Sequence, residues 1–153
     1  MKLQLAILLS SIQKSSLQLL AVISAFFLPI TGILFLIGFA IVVDTLTGIW
    51  KSKKLGLPIT SRKLSAIVSK LFLYEVAVIG FYLIDYYILN DIILTFFSVP
   101  LMLTKILSLV LVSIEVISIS ENYKAVKGID LWQAMKLLFA RARDIKQDID
   151  TIK

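Results

Sequence analysis

The chain contains no cysteine and no histidine. That excludes a disulfide, a thiolate metal site, a Ser/His/Asp triad and an imidazole acid–base pair, and no cofactor or metal motif stands in their place. Charge is also scarce: charged residues make up 17% of the sequence, and none occurs from Ser15 to Val43. About 20 mainly apolar residues cross a hydrocarbon core as a helix, so at least one span is expected there. Internal repeats and low-complexity linkers are absent. The features of a cleaved leader are missing as well. Lys2 is the only early cation, Lys14 interrupts the apolar stretch, and no small-x-small site precedes a polar segment, so the amino-terminal residues are expected to be retained.

What the chain has in excess is apolar surface. Its 59% hydrophobic content and mean hydropathy of +0.95 exceed the roughly 45–50% apolar content of ordinary soluble domains. The net charge of +6 and pI near 9.6 do not point to nucleic acid. The cations sit beside apolar runs instead of being interleaved with polar and aromatic residues, which makes anionic lipid headgroups the expected partner.

The pattern predicts an all-α, polytopic membrane protein with three transmembrane helices, or four if residues 3–28 also cross, plus an amphipathic carboxy-terminal helix. Residues 1–28 read as an amphipathic or additional membrane helix, with a polar middle from Ser10 to Gln18. Pro29 is expected to break or restart the helix. Residues 29–120 form the membrane domain, with spans at about 30–50, 64–89 and 92–119, and residues 121–153 a basic tail. Gly56, Leu57, Pro58 and Ile59 make a connecting turn, Thr60 or Ser61 caps the next helix, Asn90-Asp91 gives a tight reversal, and Pro100 kinks the return. Lys51, Lys53, Lys54, Arg62 and Lys63 occupy one loop, further cations follow Glu121, and the reversal has none. Both basic regions are therefore expected in the cytoplasm.

In the tail, Leu131, Met135, Leu138, Ala142, Ile145, Ile149 and Ile152 recur at alternating spacings of four and three, the heptad seam of a helix that packs on another. Asp130 with Gln133 forms a capping-box pattern, and Gly128 ends the preceding helix. Within the spans, Glu75 and Lys105 sit where a charge costs roughly 2.5–3.5 kcal/mol. They are equidistant from Asn90, so a hairpin folded there would bring them to a similar depth, where an ion pair is expected within one chain or between neighbouring chains. The same folding places Glu115 near Lys70, while Asp85 would lie near the outer surface. Tyr74, Phe81, Tyr82, Tyr86 and Tyr87 read as packing and interface anchors. Ser61, Ser65 and Ser69, like Thr104 and Ser108, have the small-xxx-small spacing that permits close helix approach.

Asp44-Thr45-Leu46-Thr47-Gly48 ends an apolar run and opens onto the basic loop. Ser61-Arg62 and Lys70 enter the next span, and Glu115, Ser118-Ile119-Ser120-Glu121-Asn122 and Gly128 close the last one. Together, over about residues 30–135, these resemble the phage holins of the toxin-secretion and phage-lysis group. The resemblance implies a non-enzymatic protein that oligomerises with itself in the bacterial cytoplasmic membrane and opens lesions through which a cell-wall hydrolase or toxin leaves. Asp44 is then either a hinge or helix-end partner, with Thr45 and Thr47 bonding freed carbonyls and Gly48 allowing close approach, or simply the residue that ends a span beside Lys51.

Two other readings fit the residues. A small ion channel or transporter would use Glu75, Asp85, Lys105 and Glu115 as pathway groups. A non-pore adaptor or antiholin would recruit a partner through the carboxy-terminal helix. An enzyme is not expected, because Asp44 and Glu75 lie on different spans with no paired motif or nucleophile setting.

Overall fold

The computed structural model describes the backbone of residues 2–152 and the side chains of residues 13–61 and 64–145. Among the described residues the chain is helical with no strand. It comprises α1 (Lys2–Lys54), α2 (Ser61–Ile84), a π-helical segment (Asp85–Leu89), α3 (Asn90–Phe97), α4 (Met102–Lys127) and α5 (Leu131–Ile152). Three stretches are long and apolar enough to cross a membrane: Gln13–Lys54, Leu64–Phe97 and Met102–Lys127.

The chain divides into two compact units, residues 1–35 and 36–153. The first is helical throughout its described part. Leu17, Val22 and Leu28 are exposed there, and Pro29 lies inside α1. The break expected at Pro29 does not occur. Proline removes one amide donor, whereas leaving the helix in an apolar environment would strand many more backbone groups.

The second unit holds the bundle. α2 and the π-helical segment pack against α4, and the buried apolar residues are few: Ile37, Ala40 and Ile41 of α1, Val78 and Tyr82 of α2, Leu111 of α4 and Ala134 of α5. Buried polar groups rival them, namely Ser52, Asp85, Thr104, Ser108, Glu115 and Asn122. The bulkiest apolar side chains instead face outward, with Phe39, Phe72 and Leu109 at 59%, 70% and 68% exposure. Water would penalise such a surface by its full transfer free energy; lipid does not, so polar interior and apolar exterior together mark a membrane bundle.

The turns follow local chemistry. Gly56, at φ +67°, lets Leu57 donate back to the Ser52 carbonyl at 2.9 Å, a bond that closes α1 as in a Schellman end. Thr60 is the residue preceding α2, in extended backbone, but makes no side-chain cap bond. The reversal expected at Asn90-Asp91 lies later. Asn90 has right-handed helical angles (φ −53°, ψ −48°), and the chain turns between α3 and α4, where Ser98 and Leu101 adopt φ +53° and +54°. Pro100 is the cause. It sits in this connection instead of kinking a helix, supplies no amide donor, and disfavours helical angles at Val99. Isoleucine and leucine on both sides of Asn90-Asp91 keep that dipeptide helical.

Candidate functional site: an ionic clasp across three helices

Asp44 does not end α1, which continues to Lys54. Its carboxylate faces the bundle and receives bonds from two other helices. Lys70 Nζ of α2 donates to Asp44 Oδ2 at 3.4 Å and to Glu115 Oε2 of α4 at 2.6 Å. Asn122 Nδ2, two turns further along α4, donates to Asp44 Oδ1 at 3.2 Å and to Thr47 Oγ1 at 3.3 Å, while Lys51 Nζ donates to Asn122 Oδ1 at 3.0 Å. Two carboxylates and two ammonium groups thus form a net-neutral set linked through one amide. Neutral pairing is what allows ionised groups to lie at membrane depth.

The threonines of the motif serve the helix itself. Thr45 Oγ1 donates to the Ile41 carbonyl and Thr47 Oγ1 to the Asp44 carbonyl, each at 2.8 Å. Gly48 faces Asn122, and a Cβ there would sit 3.6 Å from its Nδ2, an ordinary contact that does not by itself require glycine. Trp50 lies 6.0 Å from Tyr123 between ring centroids. Beside the clasp is a cleft of about 330 Å³ whose lining includes Asp44, Gly48, Lys51, Ser52, Leu57 and Asn122.

A second buried polar set occupies the other end of the α2–α4 pair. Asp85 is fully buried at the start of the π-helical segment, and its Oδ2 accepts from both the amide and the hydroxyl of Thr104 at 2.6 Å. Ser108 Oγ in turn donates to the Thr104 carbonyl at 2.6 Å. The small-residue spacing of Thr104 and Ser108 therefore carries hydrogen bonds, and Asp85, expected near the outer surface, is buried inside the bundle. Asp85 Oδ1, like Glu115 Oε1, is buried with no hydrogen-bond partner among the described residues.

The bacteriophage holin family matches residues 21–142. The chain belongs to that family. This holin is accordingly a multi-pass membrane protein of a non-enzymatic family associated with phage lysis. No curated protein and no solved structure matches it.

The holin's remaining sequence-predicted residues fall into three groups. Gly128 ends α4 at φ +75°, its amide donating to Lys124 O at 2.8 Å. Ser120 Oγ accepts from the Leu131 amide at 3.2 Å, and Asp130 Oδ1 accepts from the Gln133 amide at 2.7 Å, so the carboxylate half of the expected capping box forms. Ser61 opens α2 and Glu121 is exposed on α4. Of the heptad positions, Met135, Leu138, Ala142 and Ile145 are exposed and Leu131 is half-buried; Ile149 and Ile152 lie outside the described side chains.

Glu75 and Lys105 do not meet within the chain. Lys70 lies level with Glu115, and Asp85 level with Thr104, so Lys105 sits in the first turn of α4 at the depth of Asp85, several residues from Glu75. Glu75 lies instead beside α1, where a Cβ on Gly38 would be 3.9 Å from its Oε1. The displaced reversal accounts for the failed pairing. The expected approach of Glu115 to Lys70 does hold, at 2.6 Å. What sequence reasoning missed was the convergence of Lys51 and Asn122 on Asp44. Helical spacing hinted at half of it, since Asp44, Thr47 and Lys51 share one face of α1.

Proposed function

We propose that this holin oligomerises in the bacterial cytoplasmic membrane, with its carboxy terminus in the cytoplasm, and opens lesions through which a cell-wall hydrolase or toxin leaves. The observation that carries the reading is the neutral clasp inside an apolar-faced bundle. In lipid, helices gain no hydrophobic drive from association and rely on packing and polar contacts. A bundle whose charges satisfy one another internally can accumulate with apolar faces outward. If α1, α2 and α4 separate, the same Asp44, Lys70 and Glu115 become hydrophilic wall for a water-filled opening. Lys51 and the basic stretch that follows α4 lie at the clasp end of the bundle, which supports a common cytoplasmic side for both.

Inducible expression in bacteria, with and without a cytoplasmic wall hydrolase, tests the proposal. Abrupt lysis only with both supports it. Ion leakage without passage of folded protein would make the chain a channel, and unchanged growth with an intact membrane potential would leave only an adaptor or antiholin role.

A further inference from the structure

The heptad pattern in α5 suggests a seam for another helix, but the exposed surface is wider than such a seam. At 3.6 residues per turn, Leu131, Met135, Leu138, Ala142 and Ile145 form one stripe, and Trp132 and Phe139 extend it to an arc of about 140°. A two-position coiled-coil seam is narrower than that. The side chains are bare: Trp132, Leu138, Phe139 and Ile145 are 63%, 67%, 70% and 57% exposed. Ala134, at the edge of the arc, is buried.

Charge borders this arc on both sides. Lys136 and Arg143 flank it beside Trp132, with the Lys136 ammonium 5.4 Å from the centroid of that ring, and Arg141 flanks the opposite edge. Gln133, Leu137, Ala140 and Asp144 occupy the back of the helix, where Leu137 is 60% exposed and Ala140 and Asp144 line a cleft with Tyr123 and Ile129. A broad apolar face with an indole and cations at its margins suits the boundary between acyl chains and anionic headgroups. The connection to the membrane is short. Gly128 turns the chain immediately after α4, and the Leu131 amide is held by Ser120 of α4 at 3.2 Å, which keeps the start of α5 at the end of a membrane-spanning helix.

We propose that α5 lies in the plane of the membrane surface, with its apolar face in the acyl-chain boundary and Lys136, Arg141 and Arg143 on anionic phospholipid headgroups. The occupant of the exposed face is lipid, not a second helix. α5 then acts as a surface float that fixes the rotation and depth of α4, and with it Asn122 and Glu115 of the clasp.

The cysteine-free sequence makes the test direct. Single cysteines replacing Gln133, Leu138, Ala140, Ala142, Asp144 and Ile145 in the full chain are spin-labelled and reconstituted into vesicles, either phosphatidylglycerol-containing or purely phosphatidylcholine. The expected result in anionic vesicles is a helical period in which the ratio of oxygen to aqueous nickel-complex accessibility is about tenfold higher at Leu138→Cys, Ala142→Cys and Ile145→Cys than at the other three positions. Combining Lys136→Glu with Arg143→Glu should flatten that period in anionic vesicles. Dipolar broadening between labels at position 138 of different chains, with exclusion of both reagents, would assign the face to a second copy and overturn the proposal. Equal aqueous access on all sides would overturn it too.

Discussion

Replacing Lys70 by methionine separates the energetics of the clasp from its shape, because methionine keeps most of the stem and removes the charge. In the native protein Lys70 Nζ lies 2.6 Å from Glu115 Oε2, with side-chain exposures of 30% for Lys70 and 0% for Glu115. Glu115 Oε1 has no hydrogen-bond partner among the described residues, so Lys70→Met removes the cation from a fully buried carboxylate whose remaining polar neighbour is the Tyr74 hydroxyl. Breaking a buried ion pair by removing one member costs roughly 3–5 kcal/mol. The partial exposure of Lys70 reduces this to about 2–3 kcal/mol. Glu115→Gln should cost less, about 1 kcal/mol, since Lys70 is left with Asp44 at 3.4 Å and can reach solvent. The double variant should be less destabilised than the sum of the singles by about 1–2 kcal/mol. Denaturant titration in detergent micelles, followed by Trp50 fluorescence in a Trp132→Phe background, measures all four corners of the cycle beside the clasp. Additive effects, with a coupling below about 0.3 kcal/mol, would show that the pair contributes nothing and refute the clasp as a fastening.

Three further outcomes follow from the same geometry. Asn122→Ala removes bonds to Asp44, Thr47 and Lys51 together and should cost about 1–3 kcal/mol in the same titration, more than Asp44→Asn, which preserves an acceptor for Asn122. Asp85→Leu leaves the Thr104 amide and hydroxyl unpaired inside the bundle and should lower stability by about 1–3 kcal/mol, whereas Asp85→Asn, which still offers an oxygen, should cost appreciably less; thermal unfolding in detergent compares them. Gly128→Ala forces a Cβ into left-handed backbone at a strain of about 1–2 kcal/mol, and the distance from α4 to α5, measured between spin labels, should shift or broaden.

Pro100 shows how far residues alone can be read. A proline stop before an apolar run is a local signal, and it marks the true reversal, but Asn90-Asp91 offered a competing signal nearer the middle of the apolar stretch. Choosing that one set Glu75 level with Lys105 and placed Asp85 near the outer surface. Neither residue changes its own chemistry between the two registers; only its neighbour changes. The helix ends at Gly56 and Gly128 and the Asp130 cap were legible because each depends on residues within a few positions. The Lys70–Glu115 approach was legible too, because the bonded register of α2 on α4 is centred near residues 92–95 even though the turn itself comes later.

By itself the sequence determined the all-helical class, the presence of three long apolar helices, the segregation of cations and the family, since these depend on local hydropathy and on motifs that persist without contacts. Only the tertiary structure decided that Asp44 of α1, Lys70 of α2, and Glu115 and Asn122 of α4 form one neutral set, and that Asp85 is buried against Thr104. Such partnerships depend on the rotation and relative depth of helices. A four-residue connection and a five-residue π-helical segment adjust both, and no periodicity within a single helix encodes them.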